Sequence, residues 1–251
     1  MPTVRDLRAA AWKRMKEGGL LPLLAGFSLA MLLGSLVTHL LTLSFISYGW
    51  VTVDQIEESQ KTLELLRNSS LEPTPEQIGA LMPVMRWTGV LSLVFATLNF
   101  GILSFGRAVL TISVMRGGAK AFFILSGFRG PMLLRTAALG ILRFLLVGLG
   151  LFLFVLPGIL AFYSCRMAYL LLADNPSWSP VRALRESRRL MYGHRWRLFC
   201  LDAVFLLWIP LVLLGGELAA ILILVWIFFV VPYFATATAA FYEDLLDRAG
   251  R

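Results

Sequence analysis

Four charged residues lie inside runs that are otherwise apolar: Arg107, Arg143, Arg166 and Asp202. Arg107 stands nine residues before Arg116, Arg143 eight after Arg135, Arg166 eight before Asp174, and Asp202 five after Arg197. At a helical rise of about 1.5 Å per residue, each sits roughly 7–14 Å in from a charged helix end, so four helices could supply one buried polar layer. A charge at that depth in a bilayer costs on the order of 2–3 kcal/mol, so each must face the bundle interior or snorkel to the headgroups. Three chemistries are open to such a layer. Asp202 pairs with one arginine while the others reach lipid phosphates as anchors. Alternatively, three guanidinium groups against one carboxylate leave an excess positive site, open to the inner leaflet, for an anionic lipid headgroup or another anion. In the third, Asp202 and the arginines line the solute or proton path of a small transporter or channel subunit.

A second basic group, Arg182, Arg185, Arg188, Arg189, Arg195 and Arg197, crowds a short polar segment. Ser179 as N-cap and Pro180 at the first helical position predict a helix over 179–193 that stops at Gly193. On it Val181, Leu184 and Met191 form an apolar stripe, and Arg182, Arg185 and Arg189 share the wet or headgroup-facing side. These arginines anchor the topology, and each could add about 1 kcal/mol of attraction to an anionic membrane surface. No nucleophile elbow, zinc-protease motif or phosphate-binding loop occurs, and the two histidines, His39 and His194, are far apart. Ser104, Ser113 and Ser164 have no evident basic partner in sequence. The reading is therefore non-enzymatic, with no metal and no cofactor.

The elements that must position these residues follow from composition. Of the 251 residues, 58% are hydrophobic and 15% charged, with a mean hydropathy of +0.77. A soluble domain carries about 25% charge, so too little polar surface exists here to cover a water-facing body. The net charge of +8 sits in short bursts between apolar runs of spanning length, which fits a bilayer partner and not nucleic acid. Cys165 and Cys200 both fall in apolar segments, so no disulfide framework is expected.

The predicted fold is all-α, a polytopic transmembrane bundle of about six spans in one integral membrane domain, 1–251. Residues 1–19 form a cytoplasmic amphipathic helix, capped by Thr3 and Asp6 and ended by Gly18-Gly19. Spans are placed at 20–46, 88–115, 133–156, 159–173, 196–214 and 218–242. Pro157-Gly158 is the expected turn before the fourth, and Pro232 the expected kink in the sixth. The fourth, at about 15 residues, is short for roughly 30 Å of hydrocarbon. An acidic external loop covers 47–87, with a helix near 53–67, and a semi-apolar surface or re-entrant piece covers 117–131. Segments 3–17, 116–131 and 179–193 each precede a pair of spans, a weak three-fold repeat.

Seventeen of the 23 Lys and Arg lie in the N-terminal segment, 116–135, 174–197 and the tail, while the acidic loop holds three. The positive-inside rule then puts both termini in the cytoplasm. Trp12, Trp50, Trp87, Trp178, Trp196, Tyr233 and Tyr242 read as an interfacial aromatic belt. The expected partners are membrane lipids, anionic ones above all, with a homo-oligomer or a further membrane partner compatible.

The segments Pro157-Gly158-Ile159, Leu172-Ala-Asp-Asn-Pro176, Ser187-Arg-Arg-Leu-Met-Tyr-Gly-His-Arg-Trp-Arg-Leu-Phe199, Pro232-Tyr233 and Ala240-Phe-Tyr-Glu-Asp-Leu245 carry a resemblance over about 115–246. The chain resembles a family of uncharacterised bacterial integral membrane proteins catalogued as a domain of unknown function. That family is distantly similar to the membrane domain attached to some glycerophosphodiester phosphodiesterases. The resemblance implies a multi-pass helical protein of the bacterial cytoplasmic (inner) membrane and supplies no reaction.

Overall fold

The computed structural model describes residues 3–47, 101–206 and 218–250, with Asp54, Glu57, Glu58, Gln60, Lys61, Thr62 and Glu64 between them. Among these, every regular element is helical and none is a strand. The chain divides into two compact units, Met1–Met31 with Asn99–Arg251, and Leu32–Leu98. In the smaller unit the residues described between 54 and 64 are helical, where a helix near 53–67 is expected, with Lys61 paired to Glu57 at 2.8 Å.

Helix α1 (Val4–Arg14) begins with the expected capping box, in which Thr3 Oγ1 accepts from the Asp6 amide and the Asp6 carboxylate accepts from the Thr3 amide. Leu7, Ala11 and Met15 are buried, so the apolar side of this amphipathic helix packs into the protein. The helix breaks where expected. Gly18 takes φ +116°, and a side chain on Gly19 would meet Val114 Cγ1 at 2.6 Å. Helix α2 (Leu20–Ser47) follows at once.

Helix α3 (Leu103–Met115) leads to a 3-10 helix, Ala121–Phe128, that lies on it backbone to backbone. Glycine permits this approach, because a Cβ at Gly106 would stand 1.8 Å from the Ile124 carbonyl oxygen and one at Gly127 2.6 Å from that of Ile102. Helix α4 (Pro131–Leu153) starts on Gly130 at φ +43° with Pro131 in its first turn. It buries Thr136, Leu139 and Gly140 and leaves Leu134, Phe144, Leu145 and Phe152 exposed, an apolar outer face suited to lipid.

The next break falls at Phe154, not at Pro157-Gly158. Phe154 is extended, and α5 (Val155–Ser164) carries Pro157 within its first turn, where the missing N–H has no helical acceptor to lose. Helix α6 (Ala168–Asp174) continues after a turn at Cys165–Met167. Ser187, fully buried, repairs that turn: its hydroxyl accepts from the Met167 amide at 3.2 Å and donates to the Ser164 carbonyl at 2.8 Å. Val155–Asp174 as a whole is 20 residues, long enough to cross a bilayer where 159–173 alone is marginal.

Helix α7 (Pro180–Leu190) has the Ser179 cap and ends before Gly193 at φ +81°. Its buried stripe is Ala183, Leu184, Ser187 and Met191. Val181, expected inside, is 54% exposed, because the helix turns its small residues inward to approach the Cys165–Met167 turn. Helix α8 (Arg195–Leu206) follows, then α9 (Ala219–Val225), a π-type segment Trp226–Val230 and α10 (Val231–Ala249). The π register lies directly before Pro232, the residue expected to disturb the sixth segment.

Among the described residues four runs are long and apolar enough to cross a membrane: Val4–Leu36, which includes the turn at Gly18, Pro131–Leu153, Val155–Asp174 and Ile221–Ala249. The expected spans 88–115 and 196–214 and most of the 47–87 loop fall partly outside the described residues.

Candidate functional site: a cavity lined by three arginines

Arg107 on α3, Arg143 on α4 and Arg166 at the turn after α5 line one cavity of about 300 Å³, together with Ser104, Thr111, Tyr169 and Thr238. Phe27, Phe162, Val231, Phe234 and Ala235 give it apolar walls. Each arginine reaches the cavity for a local reason. Arg143 follows Thr136, Leu139 and Gly140 on the inward stripe of α4. Arg166 is turned inward by the Ser187-bridged break. Arg107 is steadied by hydrogen bonds from Nε to the Leu103 carbonyl at 3.3 Å and from Nη2 to Ser104 Oγ at 3.4 Å.

The guanidinium of Arg143 lies over Phe162 and Tyr169, 5.4 and 5.7 Å from the ring centroids. That of Arg166 lies over Phe162 and Phe234, at 5.3 and 4.7 Å. Two like charges thus share one aromatic ring. Cation–π contact lowers the energy of an arginine in an apolar setting without neutralising it. Thr111 and Thr238, also in the lining, donate their hydroxyls to carbonyls of their own helices, at 2.9 and 3.0 Å.

Asp202, the fourth member of the expected layer, is not part of this lining. It is 7% exposed, lies beside Tyr163, Arg166 and Arg8, and its Oδ1 has no hydrogen-bond partner among the described residues. Arg8 of α1 reaches the same region, donating to the carbonyls of Cys200 and Leu201 at 3.2 and 2.8 Å. The layer is therefore three arginines around a cavity with one carboxylate behind Arg166.

The basic segment divides in two. Arg182, Arg185, Arg188 and Arg189 are exposed, with Arg182 held 4.6 Å over the Trp178 ring. Arg195 and Arg197 are partly buried. Arg195 Nε has no partner among the described residues, and Arg197 binds Asp244 at 2.6 Å. A second cavity, of about 500 Å³, lies beside α7 and the end of α10. It sets Glu186 against Arg189 and Arg248 and so lacks the concentration of positive charge found in the smaller one.

The motif segments meet in a polar junction at the helix ends. Arg116 grips Asp174 with both Nη atoms, at 2.8 and 3.0 Å, and Glu243 with Nε at 2.9 Å. Tyr242, expected in the aromatic belt, is fully buried instead and donates to Asp174 Oδ2 at 2.8 Å. Hydrogen bonds to Asp174 raise the Arg116 pKa well above its ordinary value. Asp244 binds Arg248 as well as Arg197. Sequence reasoning missed this junction, and its signal is the clustering of Asp174, Tyr242, Glu243 and Asp244 where apolar runs end.

Ser113 and Ser164 donate to the carbonyls four residues back, as serines in apolar helices commonly do. Among the described residues no group of three His, Cys, Asp or Glu side chains could hold a metal ion.

Among the described residues the regular elements are all helical and four runs have membrane-crossing length, the character of a polytopic membrane protein. Over residues 23–249 the chain matches the family described as Protein of unknown function (DUF975), and it belongs to that family. No curated protein and no solved structure matches it.

Proposed function

We propose that this protein is a non-enzymatic membrane module that engages an anionic lipid headgroup within the bundle, at the Arg107, Arg143 and Arg166 cavity. The observation that carries this reading is the convergence of three guanidinium groups from separate helical segments on one small, partly apolar space. Like charges that close repel, and a bilayer gives them no bulk water for relief. An anion shared among them converts that repulsion into charge-assisted hydrogen bonds. The exposed arginines of α7 would raise the local concentration of anionic lipid at the surface.

The same reading takes six spans in a bacterial inner membrane, with both termini cytoplasmic. The distribution of basic residues supports it. Membrane-impermeant labelling of single cysteines is expected to protect position 194 in sealed right-side-out vesicles and to modify position 54. Modification of both positions from the same side would sink the topology.

Arg143→Gln is expected to reduce the anionic phospholipid that stays with the purified protein by about tenfold, the loss of one charged hydrogen-bonding partner. The triple change Arg182→Gln, Arg185→Gln and Arg189→Gln should lower it less, because those groups are water-exposed and screened. Unchanged lipid in Arg143→Gln with normal insertion would overturn the proposal. Solute or proton flux in liposomes that Asp202→Asn abolishes, with lipid retention intact, would favour the transporter reading instead, to which the unpartnered Asp202 Oδ1 gives its specific support.

A further inference from the structure

Resting on the anion-site reading above, we propose that the cavity selects a terminal phosphoryl group, a phosphomonoester with three free oxygens, over the phosphodiester of ordinary phospholipid. The first ground is direction. The three guanidinium groups come from α3, α4 and the turn after α5, so they reach the cavity from three backbone segments. Each can meet a different oxygen. A phosphodiester has only two free oxygens and a single charge, whereas a phosphomonoester has three and carries about −1.5 to −2 near neutral pH.

The second ground is the count of donors. A guanidinium has five N–H donors. Among the described residues the Arg143 and Arg166 side chains donate no hydrogen bond to protein; both lie over aromatic rings, which accept no conventional hydrogen bond, and Asp202 acts on Arg166 by charge alone. A multi-oxygen ligand is the partner that such a set of donors fits.

Charge is the third. Asp202 faces Arg8 as well as Arg166, so its one negative charge is divided between two arginines. Arg8, Arg107, Arg143 and Arg166 against Asp202 leave three positive charges. A dianion offsets more of that excess than a phosphodiester monoanion does.

Volume sets the fourth. About 300 Å³ is at the small end of ligand pockets, enough for a phosphoryl group and the first part of what it is attached to. Phe27, Val231 and Ala235 offer that part an apolar wall. The source is then a lipid that ends in a phosphomonoester, or a soluble phosphomonoester that enters from water.

Purified full-length protein titrated with phosphatidate, phosphatidylglycerol and phosphatidylcholine, and separately with glycerol 3-phosphate and inorganic phosphate, tests this by native mass spectrometry and calorimetry. Phosphatidate is expected to bind about tenfold more tightly than phosphatidylglycerol, with the preference lost in Arg143→Gln. Should that variant fail to fold, the wild type alone decides. Its preference for phosphatidate should grow between about pH 5 and 7.5, as the lipid takes its second charge near pH 6. A change shared by phosphatidylglycerol would report a group of the protein, such as Asp202 beside Arg166, and not the second charge of the lipid. Glycerol 3-phosphate binding as tightly as phosphatidate supports the phosphomonoester site and assigns it to a soluble ligand, against the lipid reading. Equal binding of the two anionic lipids, both weakened in Arg143→Gln, overturns the selectivity and leaves the anion site standing. No anionic lipid or phosphate bound above the phosphatidylcholine level overturns both.

Discussion

Gly106→Ala is expected to yield little or no folded protein, whereas Gly148→Ala, the same change elsewhere, should behave like the wild type or slightly better. At position 106 the added methyl would stand 1.8 Å from the Ile124 carbonyl oxygen, 2.5 Å from its carbon and 2.8 Å from the Ile124 Cα. These are backbone atoms, and they cannot rotate away. Relief requires lifting the whole Ala121–Phe128 segment from α3, which would withdraw Ile124 from its buried place beside Ala30 and Leu103 and break the reciprocal approach of Gly127 to Ile102. Ordinary overpacking costs about 1–3 kcal/mol, and a displacement of backbone belongs at or above the top of that range. Against a total stability of about 5–15 kcal/mol, that is a large share. At Gly148 nothing lies within 4 Å, and alanine gains about 0.5–1 kcal/mol of helix preference. Monodisperse yield after extraction and the thermal midpoint check the pair. Equal midpoints for the two variants would show that the close approach at Gly106 does not exist.

Asp244→Ala should be nearly as damaging, and its effect should depend on pH. Asp244 binds Arg197 and Arg248 at 2.6 and 3.1 Å, with side-chain exposures of 13, 17 and 25% in that order. Removing the shared carboxylate leaves two cations without their counter-ion in a mostly enclosed place, at about 2–4 kcal/mol once the remaining solvent access is discounted. Partial burial acts to raise the Asp244 pKa, but hydrogen bonds from Arg197 and then Arg248 outweigh it and hold the carboxyl below its ordinary value. A depressed folded-state pKa means that the stabilisation is complete above the unfolded-state value near 3.9 and is lost as pH falls through the lower, folded one. The difference between wild type and Asp244→Ala should therefore be flat from neutral pH down to the ordinary carboxylate range and shrink below it. A difference that persists unchanged at the acid end would mean that Asp244 acts by packing and not by charge.

The distance of Arg107, Arg143 and Arg166 from the charged ends of their segments was legible in the sequence, because a fixed rise per residue turns spacing from Arg116, Arg135 and Asp174 into distance along a helix. Which way each arginine points was not. The helices are apolar around most of their circumference, so periodicity carries little azimuthal information, and Arg166 owes its direction to a turn held by Ser187, a residue more than twenty positions away in sequence. The same ambiguity explains why Asp202 lies behind Arg166 and outside the cavity. On α7 the opposite sides are chemically distinct, and the placement of its arginines outward could be read in advance, although Val181 could not be separated from the inward set. Tyr169, Thr111 and Thr238 carry a signal that was present but weak: hydroxyl groups recurring in otherwise hydrocarbon-like runs. The junction at the helix ends joins positions 58 to 127 residues apart, and only the recurrence of acidic residues at the ends of apolar runs hinted at it.

The grip of Arg116 on Asp174 and Glu243 has a bearing on biogenesis. Translation must run 58 residues past the arginine before its first partner exists and 127 before its second, so this cation is made with neither and then for a further 69 residues has only one. The nascent chain must keep position 116 hydrated or at the lipid phosphates in the meantime. The three helices it ties together can lock only when the C-terminal one has left the ribosome.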